Sequence, residues 1–337
     1  MTFNHLHYIL RVLKTGFTPR KILNAIKLAV SYQLSFFGIQ TRWKYSPWFI
    51  SIEPVNGCNL HCPECPVGIR TERIEAVNIN EKMVHHLIDE LEQTLSHVIF
   101  YFQGEPFINR NFTNLVRYAH NKNLLTSTST NAQLLTDQTA RKVVESGLDR
   151  LIVSIDGATQ ETYEAYRAGG QLKKALQAVE NVIKWRNELK SRTPLIEIQF
   201  LVLKTNEHEM EAMKLLAKKL KADKLTFKSA QLYDFVNGNS LLPDNKRYAR
   251  YELRSDGKYH LKNSQPNRCK RLWSGSVVTS RGDVLPCCYD KDRSFVFGNL
   301  NEKSFGECFS SHKAAEFRKE MLHNRKQFDM CRNCNEK

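Results

Sequence analysis

Acidic side chains are missing from the first 52 residues of this chain. The same stretch carries seven basic residues, which are Arg11, Lys14, Arg20, Lys21, Lys27, Arg42 and Lys44. They contribute to a formal net charge of +15 over 337 residues. A surface of this sign attracts an acidic electron carrier or an anionic substrate. Because no recognised nucleic-acid-binding module accompanies the charge, we do not expect a nucleic acid partner.

Long apolar runs, internal repeats and low-complexity tracts are also missing. Residues 20–30 have the pattern of a cationic amphipathic helix. Lys27, Ser31 and Gln33 interrupt its apolar character, which makes it a poor membrane-spanning candidate. Such a helix either packs as a terminal helix on the rest of the protein or makes peripheral contact with an anionic membrane. We favour packing, and membrane contact stays open.

No secretory leader is expected, since residues 1–5 lack a charged region followed by a clean apolar run and a cleavage site. The nine cysteines fall in an ordered pattern, and the chain is much longer than typical disulfide-framework proteins. We therefore expect the reducing environment of the cytoplasm. The length suffices for one large or two moderate domains with a sizeable core.

Short apolar runs alternate with longer amphipathic runs after the basic start. The strand candidates are Trp48–Pro54, His97–Phe102, Leu124–Thr130, Arg150–Ile155, Leu195–Leu203 and Lys224–Lys228. The helical patterns lie near 80–95, 109–122, 136–146, 171–190 and 206–221. Asn80 and Thr136 suit helix N-caps, and Gly147 suits a helix stop. Six such alternations predict an α/β fold, a partial (β/α)6 barrel with helices outside a parallel sheet.

Changes in composition predict four segments. They are a basic helical extension over 1–45, the partial barrel over 46–230, a polar and basic bridge over 231–265, and a cysteine-bearing module over 266–337. In the last segment, Trp273–Ser280 and Asp283–Cys288 alternate like two strands around Arg281-Gly282, which predicts a hairpin. A helix is expected near 311–323. The module is thus a small hairpin-plus-helix unit.

Three cysteines follow the first strand in a C-x3-C-x2-C spacing: Cys58, Cys62 and Cys65. A structural zinc site normally has four protein ligands. Three thiolates on one tight loop suit a cubane 4Fe–4S cluster with one iron open for substrate, since thiolates are the usual protein ligands of such clusters. A fragment of a zinc site and three unconnected core cysteines are the alternatives, and the motifs further along the chain argue against both.

Two motifs follow later strands: Gly104-Glu105-Pro106 after the second and Ser154-Ile155-Asp156-Gly157 at the end of the fourth. With the cysteine loop, they make the chain from about residue 47 onward resemble the radical S-adenosylmethionine enzymes. The first motif resembles the G-G-E-P run of that family, with Gln103 in place of the first glycine. The resemblance implies an open-site 4Fe–4S cluster on the cysteine loop and S-adenosylmethionine as cofactor.

The same resemblance implies a set of cofactor contacts. They are Gly104, Glu105, Pro106, Ser129, Asn131, Ser154, Asp156 and Arg167. Glu105 would receive the ammonium group of the cofactor, and a guanidinium such as that of Arg167 suits its carboxylate. For Ser154 and Asp156, ordinary helix capping is the alternative. No catalytic residue is identifiable, because four polar candidates near the predicted barrel mouth are each as well explained as structural: Glu197, Gln199, Tyr233 and Asp234.

The C-terminal cysteines resemble the auxiliary-cluster modules called SPASM and twitch. The resemblance implies that four thiolates ligate one auxiliary 4Fe–4S cluster: Cys269, Cys287, Cys331 and Cys334. Cys288 is expected to point to the opposite face of its strand, and Cys308 is expected to be a small buried hydrophobe. Whether either replaces one of the four ligands stays open. A four-cysteine zinc site is the alternative for this module.

The resemblance implies reductive cleavage of S-adenosylmethionine to a 5′-deoxyadenosyl radical that abstracts hydrogen from a substrate. It also implies an electron donor of the flavodoxin or ferredoxin type. A fully ligated auxiliary cluster suits an electron acceptor, which favours net oxidation. Peptide or protein modification is slightly favoured, and dehydrogenation of a sugar or cyclitol alcohol is the first alternative. The second is a non-catalytic zinc or iron–sulfur binding module.

Overall fold

The computed structural model describes residues 3–41, 43–69, 75–263 and 266–335. Arg42 and residue 265, the predicted end of the bridge, lie outside the described residues. The helices are α1 Phe3–Gly16, α2 Pro19–Ser35, α3 Glu81–Leu91, α4 Phe112–Asn121, α5 Asp137–Glu145, α6 Gln160–Tyr166, α7 Leu172–Glu188, α8 Met210–Lys219, α9 Arg271–Ser274, α10 Phe305–Phe309, α11 His312–His323 and α12 Asp329–Arg332. Short 3-10 turns cover Pro106–Ile108, Glu207–Glu209 and Arg325–Gln327.

Eleven strands are formed by the described residues. They are β1 Phe49–Ile52, β2 His97–Ile99, β3 Leu125–Thr130, β4 Arg150–Ser154, β5 Leu195–Val202, β6 Lys224–Ser229, β7 Tyr251–Leu253, β8 Tyr259–Leu261, β9 Gly275–Val278, β10 Asp283–Leu285 and β11 Gly298–Asn299. All six strands predicted for the barrel are present, although β2 ends three residues early. The fold is a mixed α/β fold with a large parallel sheet, as predicted.

The chain divides into two compact units. Of the described residues, the first unit contains 3–8, 58–69 and 128–263, and the second contains 9–41, 43–57, 75–127 and 266–335.

Parallel pairing organises the first unit. Strands β4, β5 and β6 pair in chain order, with Arg150 opposite Leu195 and Glu197 opposite Lys224. The side chains of Leu151, Ile152 and Val153 are buried in succession rather than alternately. Consecutive burial is typical of a parallel strand covered on both faces, and it explains why β4 is an unbroken apolar run.

A hairpin lies within the segment predicted as a bridge. β7 and β8 pair antiparallel, with Tyr251 opposite Leu261. The Tyr251 hydroxyl donates to the Leu232 carbonyl at 3.1 Å and accepts from the Leu232 amide at 3.0 Å. The segment therefore has regular structure and a buried tyrosine. Sequence periodicity missed it because a three-residue strand is too short to show a pattern.

The second unit contains its own run of paired strands, in the order β11-β10-β9-β1-β2-β3. β1 pairs in parallel with both β2 and β9, so the predicted C-terminal hairpin extends a sheet. The predicted strand Trp273–Ser280 is wrong at its start, because α9 takes residues 271–274 and β9 begins at Gly275. A Cβ at Gly275 would lie 2.4 Å from the Phe49 ring, which explains a glycine at this close approach.

Three of the predicted helix boundary signals are confirmed. The Asn80 side chain accepts from the amides of Lys82 and Met83 at the start of α3. The Thr136 side chain caps α5 in the same way. Gly147 follows the end of α5 with a φ of 76°, the left-handed conformation that terminates helices.

The predicted N-terminal helix and the predicted helix near 311–323 are also confirmed, as α2 and α11. No helix among the described residues is both long enough and apolar enough to cross a bilayer.

Candidate metal centres

The cysteine loop of the first unit is fixed by backbone contacts. The His61 amide donates to the Ala168 carbonyl at 3.0 Å, and the Cys65 amide donates to the Cys62 carbonyl at 3.1 Å. The first contact joins the loop to the residue after Arg167, and the second closes a turn within the loop. The loop geometry is thus set by the protein itself, and preorganised ligands lower the cost of binding a metal group.

Glu64 supplies a further anchor that the sequence did not reveal. Its carboxylate accepts from the Tyr233 amide at 2.9 Å and from Asn239 Nδ2 at 3.0 Å. The two partners lie in the segment predicted as a bridge, far from Glu64 along the chain. A glutamate between two predicted ligand cysteines gives no local signal of such contacts, so only the structure identifies it.

Two polar side chains reach the sulfur atoms of the loop. Asn131 Nδ2 lies 3.7 Å from Cys58 Sγ and donates to Asn59 Oδ1 at 3.0 Å. Arg167 Nη1 lies 3.8 Å from Cys62 Sγ. Burial raises the pKa of the Cys62 thiol, and the positive charge of Arg167 opposes that rise. Donors beside the sulfur atoms stabilise thiolate charge, and in iron–sulfur proteins they tune the reduction potential.

Asp156 orients Arg167. It is completely buried, and its Oδ2 accepts from Arg167 Nε at 2.5 Å while its Oδ1 accepts from the Leu201 amide at 2.6 Å. Burial alone would lower the pKa of Arg167, but the Asp156 carboxylate, together with Cys62, Tyr166 and Tyr163, outweighs burial and raises it. Both oxygens of Asp156 are thus engaged by the protein. The N-cap of α6 is Thr159, so Asp156 does not cap that helix.

The remaining predicted contacts in the first unit lie at strand ends. Ser129 is half-buried near the end of β3, and Ser154 is buried at the end of β4. Glu197 has a structural role: its carboxylate accepts from Arg150 Nη2 at 2.6 Å and from the Thr226 hydroxyl at 2.7 Å. Ser129 and Ser154 thus lie near the ends of their strands, as predicted. Contact of these two serines with a cofactor stays a prediction.

In the second unit, Gly104 and Glu105 lie against the backbone that precedes the cysteine loop. Gly104 has a φ of 73°, and a Cβ there would lie 2.3 Å from the Val55 carbonyl oxygen. Only glycine tolerates this conformation and approach. The Glu105 amide donates to the Gly57 carbonyl at 2.8 Å. Its buried carboxylate accepts from the Phe107 amide at 3.2 Å, at the turn that Pro106 begins.

Gln103, which departs from the family motif, has a structural use. Its Nε2 donates to the Lys291 carbonyl at 2.8 Å. Lys291 Nζ in turn donates to the Phe102 carbonyl at 3.2 Å and lies 4.3 Å from the centroid of the Phe102 ring. These contacts fasten the loop before Gly104 to the segment after β10. The substitution therefore adds a tether that a glycine could not provide.

The four predicted auxiliary ligands lie together in the second unit. Cys269, Cys287, Cys331 and Cys334 are all buried and interact electrostatically with one another. Burial raises the pKa of Cys269 and Cys287, and it raises that of Cys331 to about 12. Binding of iron as thiolates would displace the protons of these thiols.

A buried guanidinium faces these thiols. Arg325 is 1% exposed, and its Nη2 lies 3.1 Å from Cys334 Sγ. Its Nη1 donates to the Arg268 carbonyl at 3.0 Å, next to Cys269. The positive charge of Arg325 opposes the rise that burial causes in the pKa of Cys269 and Cys331, although burial remains the larger effect. Arg325 thus favours negative charge where four thiolates would gather.

The two leftover cysteines differ in surroundings. The prediction that Cys288 lies on a strand is wrong, because β10 ends at Leu285. Cys288 is half-buried, and Arg271 Nη1 lies 3.3 Å from its sulfur. Cys308 is completely buried on α10, where its sulfur packs against Gly298. The prediction that Cys308 is a small buried hydrophobe is confirmed.

The chemistry of the donor set fits iron–sulfur clusters. All nine cysteines lie in the described residues and none forms a disulfide. Among the residues that the structure describes, no three His, Cys, Asp or Glu side chains are arranged to hold a single metal ion. In a cubane cluster each thiolate binds a different iron atom, so its ligands are spaced more widely than those of one ion. Three thiols in one unit and four in the other are available.

Two family models match the chain. One is described as the radical SAM superfamily and matches residues 52–219. The other, SPASM, is described as an iron–sulfur cluster-binding domain and matches residues 269–335. The fold and the cysteine loop define the class, and the chain belongs to the radical SAM superfamily with a C-terminal SPASM domain. Its cofactors are accordingly 4Fe–4S clusters and S-adenosylmethionine.

Two relatives match this chain over only part of their own length. An AdoMet-dependent heme synthase of Methanosarcina barkeri is 32% identical over 136 residues, 40% of this chain and 39% of the relative. The mycofactocin maturase MftC of Mycolicibacterium smegmatis is 30% identical over 139 residues, 41% of this chain and 34% of the relative. The matched region therefore spans less than half of each relative.

A solved structure shares the fold over more of the chain. Streptococcus suis SuiB bound to precursor peptide SuiA has a TM-score of 0.62 and 15% identity, covering 88% of this chain and 71% of SuiB. At this identity the likeness concerns the fold.

Proposed function

We propose that this protein is a radical SAM oxidoreductase that modifies a side chain of a peptide or protein. The observation that carries the proposal is the presence of two separate thiol sets, each with an arginine that reaches a sulfur atom. Arg167 reaches Cys62 in the first unit, and Arg325 reaches Cys334 in the second. Two sets imply two clusters, and the second cluster is what an oxidation requires.

Cys58, Cys62 and Cys65 would hold the cluster that binds S-adenosylmethionine. Because the loop supplies three thiols, one iron is left for the amino and carboxylate groups of the cofactor. When bound, the cofactors would supply reductive cleavage of S-adenosylmethionine to methionine and a 5′-deoxyadenosyl radical, hydrogen-atom abstraction from the substrate, and removal of one electron from the substrate radical, which also loses a proton. The protein contributes binding, orientation and the electrostatics of the site.

Each predicted contact residue has a task in this scheme. Gly104 allows the backbone to approach closely, Glu105 offers an acceptor for the N–H groups of the methionine amine, and Arg167 offers a positive charge for its carboxylate. Asn131 and Ser129 offer polar groups for the ribose, and Ser154 lies at the next strand end. Asp156 acts through Arg167 as a positioning residue, since both its oxygens are engaged within the protein.

Cys269, Cys287, Cys331 and Cys334 would hold the auxiliary cluster. Four thiolates leave no iron open, so this cluster suits electron transfer rather than direct binding of substrate. The positive charge of Arg325 beside Cys334 compensates the negative charge that four thiolates bring into a buried site. An electron donor of the flavodoxin or ferredoxin type in the cytoplasm would supply the reducing electron, and the basic surface of the chain suits an acidic carrier.

The peptide substrate is supported by the maturase relative and by SuiB, which was solved with a precursor peptide. Dehydrogenation of a small-molecule alcohol, on a sugar or cyclitol, is the second candidate. It is favoured by the number of cysteines, since the four predicted C-terminal ligands, all buried, suffice for only one auxiliary cluster, as in the twitch pattern. The name of the heme synthase relative refers to a small molecule, heme, which also supports a small-molecule substrate.

The first experiment measures 5′-deoxyadenosine release by anaerobically reconstituted protein with dithionite and S-adenosylmethionine. We expect release by the wild type and none by the Cys58/Cys62/Cys65→Ala variant. The Cys331→Ala variant should still cleave the cofactor, yet form no oxidised product. Release by the triple variant at the wild-type rate would contradict the assignment of the cysteine loop.

A second experiment separates the two substrate classes. Short peptides encoded beside the gene are compared with cyclitol and sugar alcohols in the same assay. A peptide that stimulates 5′-deoxyadenosine release and becomes lighter by the mass of H2 supports peptide oxidation. The same result with an alcohol, and none with peptides, supports the second candidate.

A further inference from the structure

The first two helices expose their apolar faces. Of the twenty large hydrophobic residues that are exposed among the described residues, thirteen lie between Leu6 and Trp43. Seven of the thirteen are at least half-exposed, and we define the outer face by the six of these that lie in α1 or α2 or within two residues of their ends: Leu10, Leu13, Phe17, Leu23, Ile26 and Phe37. So many exposed apolar residues in one short stretch mark an interaction surface.

Helical spacing places the exposed apolar residues of α1 on one side of that helix. In α1, Leu6, Ile9, Leu10 and Leu13 follow an i, i+3, i+4, i+7 pattern, and all four are exposed. In a helix that packs on a protein core, such a stripe would be buried. Here it faces solvent, so the usual arrangement of an amphipathic helix is reversed.

The inward side of α2 is largely polar. Three of its four buried residues are polar, namely Lys21, Asn24 and Ser31, and the fourth is Leu28. Lys21 Nζ donates to the Thr15 carbonyl at 2.8 Å, and Asn24 exchanges two hydrogen bonds with the Ser46 backbone at 2.9 Å each. Rotating α2 to bury its apolar side would break these bonds and leave buried polar groups unsatisfied. The outward direction of the apolar side is therefore built into the packing.

Charge identifies what covers the outer face. No acidic residue occurs in the first 52 residues, and Lys14, Arg20 and Lys44 are exposed in the same stretch as the apolar side chains. A second copy of this chain would bring two basic surfaces together, which like-charge repulsion disfavours. Anionic lipid headgroups offer the opposite charge, and the acyl boundary beneath them accepts apolar side chains.

We propose that α1 and α2 form an interfacial anchor whose outer face docks on an anionic membrane surface. The helices lie in the plane of the interface, with leucine, isoleucine and phenylalanine side chains at the acyl boundary and lysine and arginine at the headgroups. The anchor is independent of the radical chemistry. It places the enzyme at the membrane, where its substrate or the partner that delivers it would be met.

The test is co-sedimentation of the full-length, cluster-loaded protein with lipid vesicles. Vesicles of phosphatidylcholine alone are compared with vesicles that also contain phosphatidylglycerol. We expect binding to the anionic vesicles to be at least about tenfold tighter, and raised salt to weaken it. Wild-type protein that fails to bind anionic vesicles, or that binds both kinds equally, would overturn the proposal.

Matched variants locate the contact. Leu10→Glu with Leu23→Glu adds two negative charges to the outer face, and Leu215→Glu with Leu253→Glu adds the same charge at exposed leucines of the first unit. We expect the first pair to abolish vesicle binding and the second to retain it. If both double variants lost vesicle binding to the same extent, the outer face would not be the specific site of membrane contact.

Light scattering separates the membrane from a second copy. If the wild type is a dimer that Leu10→Glu with Leu23→Glu converts to a monomer, and neither binds vesicles, the outer face is a protein interface and the membrane proposal fails. A monomeric wild type that binds anionic vesicles supports it. Circular dichroism of each variant tests whether its helices are kept.

Discussion

Arg325 Nη2 lies 3.1 Å from Cys334 Sγ, inside the protein. A buried guanidinium beside a thiol favours the thiolate form, which is the form that binds iron. In the first unit Arg167 Nη1 lies 3.8 Å from Cys62 Sγ, so each cysteine set has its own arginine. The two contacts suggest how the protein stabilises the negative charge of its clusters.

Arg325→Met is expected to reduce loading of the auxiliary cluster. The change is made in the Cys58/Cys62/Cys65→Ala background, so that only the auxiliary site binds iron. We expect iron and sulfide per chain to fall and the electron paramagnetic resonance signal of the reduced cluster to be lost. Arg325→Lys, which keeps the charge, should retain part of both.

Arg318→Met is the matched control for that experiment. Arg318 is also buried in the second unit, but its guanidinium donates to the carbonyls of Leu272 and Phe309 at 3.0 Å each. We expect it to lower the Tm while the auxiliary cluster still forms. Full loading and an unchanged signal in Arg325→Met would show that the contact with Cys334 is not needed.

Asp156→Asn should slow cofactor cleavage by roughly 10- to 100-fold, the usual effect of losing a group that orients a ligand. Without the carboxylate, Arg167 loses the partner that fixes it, so the KM for S-adenosylmethionine should rise. Kinetics of 5′-deoxyadenosine release test this. Glu209→Gln is the control, because Glu209 is a buried carboxylate that binds the Ala158 amide at 2.6 Å. Equal KM changes in both variants would indicate a merely structural role for Asp156.

Glu197→Gln is expected to lower the free energy of unfolding by about 2 kcal/mol at neutral pH, because it leaves Arg150 without its buried carboxylate. Burial alone would raise the pKa of Glu197, but the Thr226 hydroxyl and Arg150 outweigh it and lower the pKa. A lowered pKa gives stability above the unfolded pKa that is lost as pH falls through the folded one. The difference from wild type should therefore shrink in acid.

Urea denaturation at several pH values measures that difference. Glu252→Gln provides the comparison, since Glu252 pairs with Arg254 at 3.0 Å on the surface and both side chains are exposed. We expect it to change stability by less than about 1 kcal/mol. If both variants lost the same free energy of unfolding, the buried pair of Arg150 and Glu197 would contribute no more to stability than the exposed pair of Arg254 and Glu252.

Lys21 is expected to make stability rise with pH on the alkaline side. Burial first, and the nearby charge of Arg11 next, lower its pKa to about 8, while Glu92 opposes the shift. Between about pH 8 and 10.5 the unfolded chain keeps a proton that the folded protein loses, so stability increases across this window. Relative to Lys21→Met, the wild type should gain up to about 3 kcal/mol.

Lys14→Met serves as the baseline, because Lys14 is an exposed lysine of the same region. Its difference from wild type should stay flat over the same window. If the difference in stability between wild type and Lys21→Met were also independent of pH, burial of the Lys21 ammonium group would have no cost in folding free energy.

The sequence predicted the elements that depend on local patterns. Apolar runs revealed β1, β4 and β5, whose side chains are mostly buried in succession, and side-chain caps revealed the starts of α3 and α5. Contacts between distant segments could not be predicted in this way. Glu64 meets Tyr233 across 169 positions, and no local pattern encodes that pairing.

The direction in which a helix faces was also beyond the sequence. The apolar spacing of residues 20–30 predicted α2 and favoured packing on the protein, yet the spacing itself does not say whether the apolar side turns inward or outward. The hydrogen bonds of Asn24 and Lys21 decide the direction, and both partners, Ser46 and Thr15, lie outside the helix. A three-residue strand such as β7 failed for a simpler reason, since it is too short to show a period.

The most direct test of the central claim is the iron and sulfide content of anaerobically reconstituted protein. We predict about eight iron and eight sulfide per chain in the wild type, because two 4Fe–4S clusters are bound. About four of each should remain in Cys58/Cys62/Cys65→Ala and also in the variant with Cys269, Cys287, Cys331 and Cys334 changed to alanine. Zinc without sulfide in the wild type, or equal iron in all three proteins, would contradict the assignment of the two sites.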